Sequence, residues 1–233
     1  MTETCGEPQQ DDRYSKQPCS SASLNPLRSL SRFRVPEMDA SSPAFSVDKF
    51  VDQYRRFRVV HLKQVPLDQD QTRSLSWKDI GGVFEILHKS DQDSWCAETT
   101  DTSSLTPEYF LVSTTMTSQS YCSFLVQNDR ESFANIVAKL PFSRLPWVDW
   151  EHGQSLWVFF GRNLGHSDTM QGRPEHTDAV SQDGTWHFQM SGTKEWLIRP
   201  TATLLNSSEI EWPWASDVRA SIVCNAGDVL VIE

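Results

Sequence analysis

No Cys-x-x-Cys pair occurs in this chain, and its five cysteines, Cys5, Cys19, Cys96, Cys122 and Cys224, are odd in number and far apart. A zinc ribbon and a disulfide framework are therefore not indicated. No apolar run approaches the roughly 20 residues that a membrane-spanning helix needs. The first residues carry no apolar signal segment. These absences set the expectation of a reducing compartment, cytoplasm or nucleus, and of no membrane partner. Positive charge is also short, with 21 Lys and Arg against 31 Asp and Glu and a formal net charge of −10. A broad nucleic-acid-binding surface is not expected from such a balance. A serine-nucleophile elbow, a P-loop, a Rossmann fingerprint and His-Glu-x-x-His are all missing, so those enzyme classes have no support.

What is present is enough for one sizeable domain. The chain has 233 residues, 38% of them hydrophobic and 11% aromatic. Residues 1–45 are rich in Ser, Gln, Pro, Asp and Glu and are expected to be a disordered tail, because too little apolar surface is available to offset the entropy of ordering. From 46 onward the pattern predicts an ordered domain to residue 233. Ser46 is a candidate cap for a helix with Phe50, Val51, Tyr54 and Phe57 at helical spacing. Further helices are predicted over 77–88 and 131–140, and strands over 58–62, 110–113 and 121–126. Strands dominate after residue 150, at 155–160, 185–190, 195–198, 220–223 and 229–232. The class is α+β: a helical part over 46–150, then barrel strands of a jelly roll over 151–233.

Two His-x-Asp pairs lie in the strand-rich half, His166-Ser167-Asp168 in a polar loop and His176-Thr177-Asp178. In an extended chain, residues one apart leave the same face, so His176 and Asp178 would point at one spot. An imidazole and a carboxylate together make two-thirds of the two-His-one-carboxylate set that suits non-haem Fe(II). Lys194 follows 16 residues after Asp178. A buried dicarboxylate needs a paired cation, and Lys supplies a compact charge on a long stem. Gly192 is expected to turn a Met190-Ser191-Gly192-Thr193 hairpin. His187 shares a strand face with Thr185 and Gln189. It is a possible substitute ligand, with a hydrogen-bonded interior histidine as the plainer reading. Arg199 is the alternative carboxylate partner, with a surface group before Pro200 at a strand end as the plainer reading. Trp157, Trp186 and Trp196 are expected to pack the barrel, and His61, His88 and His152 to be structural.

Taken in order, Trp157 to Arg162, His176-Thr177-Asp178, Phe188 to Pro200 with its Gly-x-Lys, and Asn225 to Ile232 with its Gly-Asp-Val-Leu resemble the Jumonji C, cupin-like Fe(II)- and 2-oxoglutarate-dependent dioxygenases. The resemblance covers about residues 46–233. It implies a double-stranded β-helix with Fe(II) held by His176 and Asp178, and 2-oxoglutarate as co-substrate. It also implies that Lys194 pairs with the far carboxylate of that co-substrate and that Thr185 hydrogen-bonds it. The implied reaction is hydroxylation of a protein side chain or small molecule, or N-demethylation by hydroxylation. In such enzymes a second His follows the Gly-Asp-Val-Leu strand. This chain has no His after His187 and stops at Glu233, so the expectation is a C-terminally incomplete barrel, a fragment. The alternatives are a catalytically inactive cupin-fold interaction module and a cupin isomerase or sugar-binding jelly roll with another metal.

Overall fold

The computed structural model describes residues 34–65, 95–97, 120–127, 155–163, 169–170, 172–178, 183–207, 210–211 and 219–233. The helices expected over 77–88 and 131–140, the strand over 110–113, the His166/Asp168 pair, His88 and His152 lie outside the described residues.

Strand β1 (Glu37–Asp39) precedes helix α1 (Val47–Phe57), which leads into β2 (Val59–Lys63). Then come β3 (Trp95–Ala97), β4 (Ser120–Gln127), β5 (Ser155–Arg162), β6 (Thr185–Phe188) and β7 (Thr193–Ile198). The one-turn helix α2 (Ala202–Leu205), β8 (Ala220–Asn225) and β9 (Val229–Ile232) complete the order. The described residues thus form a mixed α/β structure dominated by strands. They make a four-stranded sheet β1-β2-β9-β6, a three-stranded sheet β3-β4-β5 and a two-stranded ribbon β7-β8. Among the described residues, no helix is long and apolar enough to cross a membrane.

Helix α1 starts where its capping residue predicts. Ser46 Oγ accepts the Lys49 N–H at 3.3 Å, and Arg58 ends the helix in the left-handed region at φ 53°. Residues 34–45, expected in the tail, belong to the fold instead. Strand β1 runs parallel to β2, with Glu37 opposite His61, and Val35 and Ala40 are buried. A three-residue strand with the sequence Glu-Met-Asp has no readable period, which is why the sequence did not reveal it. The division at residue 150 is not structural either. Strand β2 pairs with β9, and β4 with β5, so hydrogen-bonded ladders cross it.

Strands β2 and β9 are buried on both faces, which explains their continuous apolar runs. One face carries Val60, Leu62, Val229 and Val231 against Phe50 of α1, with Trp186 and Phe188 packed on it. The other carries Val59 and Leu230 against Ala220, Ile222 and Cys224 of β8. The four-stranded sheet is therefore covered by α1 on one side and by the ribbon on the other.

The chain from 185 to 198 runs antiparallel to the chain from 220 to 232 along its whole length, but the two halves enter different sheets. Strand β6 pairs with β9, and β7 with β8. Gly192 does turn the chain, at φ 69°, yet the expected hairpin is absent because the strands on either side of it do not pair with each other. The step of eight residues from Thr185 to Thr193 is answered by seven from Ile232 to Asn225, so one extra residue sits in the bend. An extra residue on one strand bends a ribbon and increases its twist. The bend is held by Gly227 N–H to Gln189 O (2.8 Å), Gln189 N–H to Asp228 O (2.9 Å) and Gln189 Nε2 to Ser191 O (2.6 Å). The Asp of Gly-Asp-Val-Leu fixes the other arm. Asp228 Oδ2 accepts the Asn225 N–H at 2.9 Å and lies 3.2 Å from buried His61 Nε2, while Oδ1 accepts the Gln64 N–H at 3.2 Å.

Candidate functional site

The inner face of the ribbon follows from strand alternation. Lys194, Trp196 and Ile198 alternate with the exposed Thr193, Glu195 and Leu197, and Lys194 lies opposite Cys224. Lys194 is largely buried in an aromatic cage. Its Nζ is 3.8 Å from the Trp196 ring centre and 5.1 Å from that of Phe159, and it donates to the Tyr121 hydroxyl at 3.3 Å. Tyr121 and Phe159 belong to β4 and β5, and their rings stack 6.2 Å apart. Among the described residues, no carboxylate forms an ion pair with Lys194. Burial pushes its ammonium down to about 8, with the Arg173 charge acting in the same direction and Cys224 opposing.

His187 projects from the facing sheet. It lies opposite Leu230, on the face that meets β8, and its ring centre is 4.5 Å from that of Trp196. Its Nε2 lies 3.2 Å from the Thr185 hydroxyl. The two expected site residues Thr185 and His187 thus bond each other. Burial pushes the imidazole down to about 4, helped by the Lys194 charge, so His187 is neutral near pH 7. Asp178 opposes that shift and His176 adds to it, which places His187 within the electrostatic reach of both.

The segment 172–178 lies outside any strand. It nonetheless brings the two predicted ligands together, with His176 Nε2 3.3 Å from Asp178 Oδ1 and both side chains half-exposed. His176 Nδ1 lies 2.6 Å from Pro174 O. A carbonyl oxygen only accepts, so Nδ1 carries the proton and donates. Nε2 then faces a carboxylate either with a bare lone pair or with a second proton. Fixing the tautomer through the second ring nitrogen is how proteins orient a ligating histidine. No family model, no curated protein and no solved structure matches this chain.

The rest of the segment is seated on the β4-β5 sheet. Gly172 faces the Tyr121 ring, where an added Cβ would stand 3.6 Å away, and Arg173 lies 5.5 Å over Trp157. Trp157 in turn stacks on Phe159 at 6.0 Å and is 43% exposed, so it does not pack the interior as expected. Arg199 is occupied elsewhere. Its Nε donates to Glu175, whose other carboxylate oxygen accepts from Arg219 at 2.5 Å. Among the described residues, no group of three or more His, Cys, Asp or Glu converges as a metal cage. The sequence reading missed Tyr121, Phe159 and Glu175. Period-two alternation was the available signal for the aromatic pair, since Tyr121 and Phe159 share a face through the Tyr121–Gly161 and Ser123–Phe159 pairings.

Proposed function

We propose that this chain is an Fe(II)- and 2-oxoglutarate-dependent oxygenase domain of the Jumonji C, cupin-like kind, acting on a protein side chain or a small molecule. The observation that carries the reading is Lys194. A buried ammonium without an acidic partner among the described residues is costly, and an anion of matching reach removes that cost. The far carboxylate of 2-oxoglutarate is such an anion, with the Tyr121 hydroxyl beside it as a second donor. Support for the barrel comes from the bent ribbon, since a long antiparallel ribbon folded so that its halves enter two sheets is how a jelly roll is built.

The donor set fits a divalent ion at its first two positions. His176 offers Nε2 once Nδ1 is committed to Pro174, and Asp178 offers Oδ1. Iron held there supplies the activation of dioxygen that 2-oxoglutarate oxidation drives. The protein's own groups bind and orient. Lys194 and Tyr121 fix one end of the co-substrate, Trp196 and Phe159 exclude water from that end, and Thr185 is held by His187 on the facing wall.

Binding tests the reading directly. With Mn(II) in place of Fe(II), 2-oxoglutarate is expected to bind the wild-type chain, and Lys194→Met to weaken it roughly 100-fold, the order for breaking one side of a buried pair. Equal affinity in wild type and variant removes Lys194 from the role. Absence of metal-dependent binding in the wild type favours an interaction module instead.

A further inference from the structure

We infer that Glu175, gripped between Arg199 and Arg219, is a positioning residue that holds His176 with its Nε2 turned toward Asp178. The inference rests on the oxygenase reading for its consequence, but its geometry stands apart from it. The segment 172–178 has no ladder hydrogen bonds to keep it in place. Something else must hold a pair whose side chains meet at 3.3 Å. Arg199 follows Ile198 and Arg219 precedes Ala220, and Ile198 and Ala220 are the last paired residues of the ribbon. Two guanidinium groups so placed repel one another unless an anion enters between them. Glu175 does so with both oxygens, one to Arg199 Nε and one to Arg219 Nη2.

The clamp acts on the residue directly before His176. With Glu175 tied to the ribbon end and Gly172 seated against Tyr121, the backbone between them is held at both ends. The Pro174 carbonyl is then in place to accept the hydrogen bond from Nδ1, 2.6 Å away, which leaves Nε2 on the Asp178 side. The same clamp explains why Arg199 is not free for a co-substrate carboxylate, and it divides the labour between the ends of β7: Lys194 binds inside, Arg199 anchors outside. Because all three members are close to half-exposed, the clamp is open to screening by salt.

The test uses the 233-residue chain, Mn(II) as the probe metal and the variants Glu175→Gln, Arg219→Gln and their double. Two readouts are taken. Without metal, long-range ¹H–¹⁵N spectra report the tautomer of His176. The wild type is expected to show a proton on Nδ1, and Glu175→Gln a mixture of both tautomers. With metal, Glu175→Gln is expected to weaken Mn(II) roughly threefold to tenfold, between the effect of an exposed pair and that of an outer-shell partner. The unfolding midpoint should stay unchanged, and the double variant should be no weaker than Glu175→Gln alone, because both remove one device. A wild-type tautomer and unchanged Mn(II) affinity in Glu175→Gln, while His176→Ala loses the metal, overturns the inference and leaves the oxygenase reading standing. Mn(II) affinity that is the same in wild type and His176→Ala defeats the reading. The tautomer spectrum then decides the clamp by itself: a mixture in Glu175→Gln upholds it, and an unchanged spectrum ends it.

Discussion

Lys194 and His187 both lie against Trp196, and burial pushes the pKa of each below its ordinary value. Each gives a pH signature. Lys194 titrates near 8 in the fold, and only its protonated form attracts a dicarboxylate. Affinity for 2-oxoglutarate should therefore hold up to about pH 8 and then fall, approaching tenfold per pH unit. Isothermal titration across pH 7 to 9.5 checks this; a flat profile in the wild type, matching Lys194→Met, would remove Lys194 as the partner. His187 works at the acid end. Its folded value of about 4 lies below the ordinary 6.5, so the unfolded chain takes up its proton first as pH falls. Stability supplied by the neutral imidazole is complete above pH 6.5 and is lost on the way down to 4, by about 3 kcal/mol at most. Urea unfolding at pH 6.5 and 5 should show that loss in the wild type. His187→Phe, which keeps a ring against Trp196, should flatten it.

Among the elements, the join between α1 and β6 is close-packed. Gly184 sits at φ 153° just before β6, with the Tyr54 hydroxyl and Ile232 O so close that an added Cβ would stand 2.0 Å and 2.7 Å from them. The Tyr54 hydroxyl donates to Asp183 O at 2.6 Å, linking the helix to the strand that carries Thr185 and His187. Replacing Gly184 by Ala must displace Tyr54 or the backbone of β9. A loss of about 1–3 kcal/mol is expected, the scale of overpacking. Chemical denaturation of Gly184→Ala alone and with Tyr54→Phe measures it. If the hydroxyl is the obstacle, the second substitution recovers part of the loss. An unaltered midpoint in Gly184→Ala would show that this junction yields freely.

At the scale of the whole molecule, the pairing of β2 with β9 ties the first part of the sequence to the last, and that of β4 with β5 joins two middle segments. Leu230 lies between the four-stranded sheet and the ribbon, fully buried beside Val59, Ile222 and Cys224. Leu230→Ala is expected to cost about 2–5 kcal/mol. Because ladders run across the chain, the loss should appear as one shifted transition, with far-UV circular dichroism and tryptophan fluorescence coinciding. Separate transitions for the two probes would mean that the sheets melt independently.

Local pattern was enough for the sequence to determine several features by itself. The cap at Ser46 and the helical period after it marked α1, and runs of apolar residues marked β2 and β9. A one-residue spacing was enough to bring His176 and Asp178 together even without a strand, because alternate residues of an extended chain share a side. Lys194 was legible as a cation of interest from its motif, but its surroundings were not. Tyr121 is 73 residues away in the chain, and only sheet packing brings its hydroxyl to the ammonium. Glu175 lies 24 residues from Arg199 and 44 from Arg219, and no period links three such positions. The supposed hairpin at Gly192 failed for the same reason. A turn residue states that the chain bends, while the partner of each strand is chosen by distant backbone groups and by the faces that must be buried together.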